Sequence, residues 1–388
     1  MRRIGVILAL VALALGLAGG VWAVTRQPAP VGVQASLSAI EAIEGTGETG
    51  NFALVTTVRP FVYPADHGPH LEYRTEWWYY TGNVAGADGR RFGYQLTFFR
   101  SAMTDQPITR TSQWATKDVY MAHFALTDVA NNQFYAFERF ARSAAELAGS
   151  SGDPYRVFLE DWSATGSGPE GMTMRLVAQQ DGVAIDFTLE STKLSTLQGD
   201  RGVSQKGAEA GNASYYYSLT RMATSGTITV GGEQLAITGS SWMDHEWGTR
   251  ALGSDVTGWD WFALQLDDGR DLMLFLLRRD DGSLGEYSAG TLIDGDGTTR
   301  ALSLADFQID VLDRWASPRD AGAVYPARWR VQIPSAQIDL TLTPQIADQE
   351  LPLTIRYWEG SVRIEGSSTG YGYIELSGYG DGDGVRAQ

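Results

Sequence analysis

From residue 70 onward the chain alternates with a period of two, and no stretch of it holds the 3.6-residue period of a sustained helix. In Arg91 to Arg100, Phe92, Tyr94, Leu96 and Phe98 fall on one side, while Gly93, Gln95, Thr97 and Phe99 fall on the other. Further strands are predicted at Tyr120–Thr127, Thr173–Ala178, Ala184–Glu190, Tyr215–Arg221, Gly226–Val230 and Leu235–Gly239. Asp-Gly turns punctuate them, as in antiparallel sandwiches and barrels. One short helix is expected, around Ser143–Ala148. The composition agrees: 45 glycines supply tight turns, and 12 Trp, 17 Tyr and 14 Phe supply ring surface for pleated faces. The chain is expected to be all-β.

The second half repeats the first. Trp78-Tyr79, Asp88-Gly89-Arg90 and Arg100 match Trp261-Phe262, Asp268-Gly269-Arg270 and Arg278. Ile185–Leu189 matches Ile338–Leu342, and Gly226–Val230 matches Gly360–Ile364. The spacing between copies shrinks along the series, as it must if the second copy has shorter loops. Two consecutive barrels are predicted, at 59–250 and 251–388 of the 388 residues. An eight-stranded closed barrel removes edge strands and leaves room for one small ligand, and two fit this length.

Ahead of the barrels, Arg2 and Arg3 precede an uncharged apolar run from Ile4 to Val24. Residues 1–24 are predicted to be a signal peptide, cleaved after Ala23, or a membrane anchor; either exports the rest of the chain to the periplasm, the exterior or the outer membrane face. Residues 25–58 read as a Pro/Gly/Thr/Glu-rich tether. Thirty basic against 46 acidic residues give a net charge of −16, which repels phosphate backbones and argues against nucleic-acid partners. Cysteine is absent, removing disulfides, thiolate catalysis and Cys-ligated metals. No G-x-S-x-G elbow, phosphate loop or dinucleotide fingerprint appears, so no cofactor is expected. His67-x-x-His70 with Glu72 has ligand-like chemistry, but the stretch holds Pro64, Gly68 and Pro69 and no HExxH helix, and no metal is expected.

Three aromatic–charged clusters stand out. In Tyr73–Tyr80, read as a strand, Arg74, Glu76, Trp78 and Tyr80 share one face, with Trp77 and Tyr79 opposite. Mutual pairing of Arg74 and Glu76 would keep Glu76 ionised, so the two are assigned supporting roles together with Glu246. Trp242-Met243-Asp244-His245-Glu246-Trp247 ends the first repeat, and Trp259-Asp260-Trp261 opens the second. Their position between the units favours a ligand site there. His123, alternating with Met121 and Ala125, reads as an interior strand residue.

The runs Tyr73–Asn83 with Arg91–Arg100, Gly199–Gly202 through Lys206 to Tyr215–Tyr217, and Ser241–Gly248 resemble the carotenoid 1,2-hydratase/AttH-like lipocalin-related family over about residues 60–380. The resemblance implies two lipocalin-like barrels and an apolar, isoprenoid-like ligand, with hydratases and cyclisation catalysts among the relatives. Hydrating an isolated alkene needs a carboxylic acid kept protonated by burial, ring faces for the cation and a positioned water. Asp244 or Asp260 would be the acid and His245 would hold the water. Trp77, Trp78, Tyr79, Trp242, Trp247, Trp259 and Trp261 would bind the substrate. The resemblance maps the hydratases' His-x-Trp pair onto His245 and Trp247. Near the position of their acid this chain offers only Asp271, out of phase. The alternative is a non-catalytic lipocalin-like carrier of a hydrophobic lipid, associated with the membrane through the N-terminal segment.

Overall fold

The computed structural model describes residues 50–109 and 111–380, so the apolar run at 4–24 lies outside the described residues. Among the described residues no helix is long and apolar enough to cross a membrane. The chain is all-β: two lipocalin-like antiparallel barrels follow one another, each curled around its own apolar core.

The first sheet holds thirteen strands. They are β1 (Thr75–Gly86), β2 (Arg91–Ala102), β3 (Asp118–Asp128), β4 (Gln133–Arg142), β5 (Ala148–Gly152), β6 (Tyr155–Leu159), β7 (Trp162–Ser167), β8 (Thr173–Gln180), β9 (Val183–Ser191), β10 (Thr196–Leu197), β11 (Val203–Gln205), β12 (Ala213–Val230) and β13 (Glu233–Gly248). The second holds ten: β14 (Val256–Leu266), β15 (Asp271–Arg279), β16 (Ala289–Ile293), β17 (Thr299–Ser303), β18 (Gln308–Ala316), β19 (Val324–Ile333), β20 (Ile338–Pro344), β21 (Glu350–Pro352), β22 (Arg356–Gly366) and β23 (Gly370–Leu376). Both exceed the eight strands expected of a minimal barrel. The strand orders are β4-β3-β2-β1-β13-β12-β9-β8-β7-β6-β5 and β17-β16-β15-β14-β23-β22-β20-β19-β18. The two orders correspond strand for strand, the first sheet adding the β5–β6 hairpin at its end.

The duplication is therefore real, but one of its landmarks is displaced. The Asp-Gly-Arg turns correspond: Gly86 N–H donates to the Arg90 carbonyl as Leu266 N–H does to Arg270, and Asp88 and Asp268 each accept from the amide two residues on. Counting back from these turns, Trp78 is equivalent to Gly258, and Trp261 to Thr81. An odd offset flips a strand residue to the other face, and Trp78 lies inside the first barrel while Trp261 lies outside the second.

Two further expectations change. The stretch 143–148 is a tight turn between β4 and β5, with Ala145 and Glu146 at positive φ, and not a helix. Residues 50–58, assigned by composition to the tether, lie along the first barrel: Val55 is buried in its core and the Tyr215 hydroxyl donates to the Thr57 carbonyl.

Candidate active site between the barrels

The segment Trp242–Trp247 lies within strand β13, so its side chains alternate between two environments. Met243, His245 and Trp247 enter the first barrel, as do Trp78 and Tyr80 of β1. Trp242, Asp244 and Glu246 point outward, as do Trp77 and Tyr79, toward the outer face of the second sheet. Asp244 and His245 thus belong to different sites.

Inside the first barrel the site is a closed knot of charges. Glu76 Oε1 meets His70 Nδ1 at 2.8 Å and His245 Nε2 at 2.9 Å, while Oε2 accepts from the His70 amide and from Arg100 Nε at 3.2 Å. Arg100 also binds Asp118, and Asp66 takes His70 Nε2 at 3.1 Å. Trp247 stacks on His70 at 3.7 Å, and Trp78 on His245 at 5.0 Å. Burial works to raise the Glu76 pKa, yet His245, His70 and Arg100 hold it well below the usual carboxylate range. Burial likewise works against a charged His70, but Asp66 and Glu76 raise its pKa. Arg74, just ahead of β1, gives its amide to Thr249, and the ion-pair cation on Glu76 is Arg100.

The donor atoms of His70, Glu76 and His245 lie within 4.8 Å of one another, a spacing suited to a metal ion. They do not fit one well. Both ring nitrogens facing Glu76 already bond to one of its oxygens, and the other oxygen is held by Arg100, whose positive charge would stand against a cation. The knot is a fully satisfied structural element.

Between the barrels lies a cavity of about 100 Å³. Trp77 and Tyr79 of β1, Gln95 and Phe99 of β2, and His123 of β3 wall one side. Trp259 and Trp261 of β14, Phe275 and Leu277 of β15, Tyr357 of β22 and Glu375 of β23 wall the other. Tyr79 meets Trp261 edge to face at 5.1 Å, and Trp261 Nε1 donates to the Tyr216 hydroxyl.

Two carboxyls in this wall titrate near neutrality. Asp244 is 3% exposed, and burial raises its pKa to about 7 against hydrogen bonds from Ser218, Tyr216 and Trp242. Those three donors occupy both its oxygens. Burial also raises Glu375 to about 7, against Trp259 Nε1, which donates to its Oε1 at 2.8 Å. Glu375 lines the cavity, and the Trp259 bond occupies one of its two oxygens. Glu359, bonded to the Tyr79 hydroxyl, is pushed well up by burial and by Glu375. Like charges this close do not all ionise together. Glu246 is paired with Lys206 and Ser214.

Asp260 requires a correction. It is an even-numbered residue of β14, on the side of Phe262 and Leu264, and so faces the second barrel's interior. There it bonds Arg278 Nε at 3.0 Å and the Tyr379 hydroxyl, away from the cavity. Trp78 and Trp247, predicted to bind the substrate, and His245, predicted to hold the water, are likewise walled into the first barrel. Trp242 stands behind Asp244 as a hydrogen-bond donor. Asp271 is no free acid either: it binds Lys193, Arg221 and Thr220. Sequence reasoning missed Glu375, His123 and Tyr357. The only available signal for Glu375 was its outward parity in β23, one strand removed from β14's tryptophans.

The AttH-like family model matches residues 54–379. A solved structure from Nitrosomonas europaea, described as a candidate AttH, shares 33% identity at a TM-score of 0.76, covering 84% of this chain and 100% of its own. Kievitone hydratase from Nectria haematococca has the same fold at 18% identity and a TM-score of 0.63, covering 85% of this chain and 97% of its own. The solved structure of CghA shares the fold at 13% identity and a TM-score of 0.52, covering 91% of this chain and 99% of its own. Among curated proteins none matches the sequence.

Proposed function

The chain belongs to the AttH-like family, and from that premise we propose that it adds water to a double bond at the end of an apolar, isoprenoid-type molecule held between the barrels. The observation that carries the reading is Glu375: a carboxyl with a pKa near 7, one oxygen fixed by Trp259, on an aromatic cavity. Protonated, it gives its proton to an alkene carbon and leaves a tertiary cation. Trp77, Tyr79, Trp259 and Trp261 present ring faces and edges to that cation. Water then captures it and releases a proton. The name of one relative of the same fold, a hydratase, supports this class of reaction.

The cavity's size bears on the substrate. An engineered apolar cavity of about 150 Å³ holds benzene, so about 100 Å³ takes the branched end of a chain and leaves the remainder outside. A carrier of whole lipids in the lipocalin manner would need an open barrel. Both barrels are filled by their own side chains, with Trp78, Trp162 and Trp247 in one and Trp329 and Trp358 in the other. The reaction needs no metal or cofactor. We propose further that the protein is exported by its N-terminal apolar run and meets its lipid-like substrate at the membrane's outer face; N-terminal sequencing of the mature protein tests this.

The test of the reaction is incubation of the protein with geraniol, which ends in a trisubstituted alkene, in ¹⁸O-water. Mass spectrometry should find a hydrated product carrying one ¹⁸O with the wild type, and not with Glu375→Gln. Equal product from both would remove Glu375 as the acid.

A further inference from the structure

Hydration also needs a group to take the proton that the captured water loses. We propose that Tyr357, His123 and Glu138 form the base arm of the cavity, a line of hydrogen-bonding groups that carries the proton from the attacking water toward the protein's edge. The proposal rests on the cavity being the hydration site.

The geometry runs across the junction of the barrels. Tyr357 of β22 and His123 of β3 both line the cavity, and the Tyr357 hydroxyl lies 2.7 Å from His123 Nδ1. Gln95 Nε2 donates to the same hydroxyl oxygen at 3.1 Å. On the far side of the ring, His123 Nε2 faces Glu138 Oε1 at 3.6 Å and has no closer partner. Glu138 is the cross-strand neighbour of His123 on β4, and its Oε1 accepts from the Thr354 amide of the second barrel. His123 itself is fully buried, while the Glu138 side chain is 12% exposed.

The partners assign the protons. Glu138 presents only an acceptor, so His123 carries its hydrogen on Nε2. Nδ1 then has a lone pair and accepts from the Tyr357 hydroxyl, whose oxygen accepts from Gln95. A lone pair remains on that oxygen for a water in the cavity. When the cation forms, the water oxygen bonds to carbon. One water proton passes to the Tyr357 oxygen as the phenol proton moves to Nδ1. The step ends with Glu375 ionised and His123 an imidazolium beside the Glu138 carboxylate. Release of the Nε2 proton at the Glu138 edge leaves the ring protonated on Nδ1, so exchange of the tautomer with solvent, together with reprotonation of Glu375 from water, restores the start.

Tyr357 passes a proton and does not store one, since burial, then Glu359 and Glu375, push its pKa well up. Burial works against an ionised Glu138, but His123 and Thr354 hold it below the ordinary range. The groups packed against His123 are Gln95 and Phe99 on β2, Glu138 on β4 and Tyr357 on β22, with Glu359 and Glu375 behind that phenol. Tyr357 and His123 are catalytic residues in this scheme, and Glu138 is a positioning residue.

The wiring is testable without turnover, because the chain has only four histidines. In ¹⁵N-histidine NMR of the whole protein, His123 should show a protonated Nε2 and a bare Nδ1 whose shift changes in Tyr357→Phe. A protonated Nδ1 would overturn the proposal. With geraniol, Tyr357→Phe and His123→Gln should lower kcat by about 10²–10⁴ with KM nearly unchanged. Glu138→Gln should lower kcat by less, at unchanged KM, and should move the ¹⁵N shift of His123 Nε2, which faces it. Tyr357→Phe keeps the ring, so its Tm controls for loosening of the junction. If Glu375→Gln is inactive while Tyr357→Phe and His123→Gln retain kcat, the base arm alone is wrong. If the wild type is inert, or Glu375→Gln turns over normally, the hydration reading itself fails.

Discussion

An ordinary carboxyl is ionised at neutral pH and cannot protonate carbon, and burial removes that obstacle at Glu375 and Asp244. In the unfolded chain both lose their protons near about pH 4, and in the folded protein only near about 7. Two consequences follow with definite signs. Between those values the folded state holds more protons than the unfolded one, so stability falls as pH rises through the window, and the loss is complete above about 7. For Asp244 alone this amounts to about 4 kcal/mol. The double variant Asp244→Asn/Glu375→Gln should therefore show a flatter dependence of unfolding free energy on pH between 5 and 8, measured by urea titration. An unchanged slope would mean that neither group carries its proton into neutrality. The rate should move the same way: wild-type kcat should drop about tenfold per pH unit above about 7, as the acid form of Glu375 disappears.

Alternation along a strand decides which neighbours act together, and β13 is the clearest case. Asp244 and His245 are adjacent in sequence, yet one lines the cavity and the other closes the Glu76 knot. Their variants should separate accordingly. Asp244→Asn should keep the fold and alter the pH behaviour. Glu76→Ala should cost about 3–5 kcal/mol, because it leaves Arg100 and His70 buried without their shared carboxylate; thermal unfolding distinguishes them. If Glu76→Ala melted like the wild type, the knot would not be structural. The same alternation explains what was legible beforehand. Strand class, duplication and the face shared by Trp259 and Trp261 follow from local periodicity. So does the face shared by Glu76 and Trp78, but periodicity does not say whether a face is the inside or the outside of its barrel. Assigning Asp260 and His245 to the junction needed that sign. Glu375, Tyr357 and His123 meet only through packing between β3, β22 and β23, more than 230 residues apart at the His123–Tyr357 contact, and no sequence spacing encodes it.

At the scale of the whole molecule, the cavity exists only while the two barrels stay in register, so the polar contacts between them are part of the site. Gln265 Nε2 donates to the carbonyls of Thr220 and Ser241, Thr291 donates to Gln198, and Thr127 to Gln349. The strongest contact is at Asp271, which is fully buried. It takes Lys193 Nζ at 2.7 Å, Arg221 Nη2 at 2.6 Å and Thr220 Oγ1 at 2.9 Å, all from the first barrel. Two cations and a hydroxyl converge on its oxygens, so Asp271 is taken up by the clamp and stands away from the cavity. Asp271→Asn leaves those cations facing a neutral amide, at a cost of about 3–5 kcal/mol. At about 2.1 cal/mol/K of unfolding entropy per residue, each kcal/mol moves the Tm of a chain this long by about 1 °C, so the variant should melt about 3 °C or more below the wild type. Because the clamp joins barrels that each have a complete core, calorimetry should also show one transition broadening toward two. Geraniol hydration should weaken through KM, since the walls separate before either barrel unfolds. A variant that lost kcat at unchanged KM and Tm would place Asp271 in the chemistry and not in the clamp.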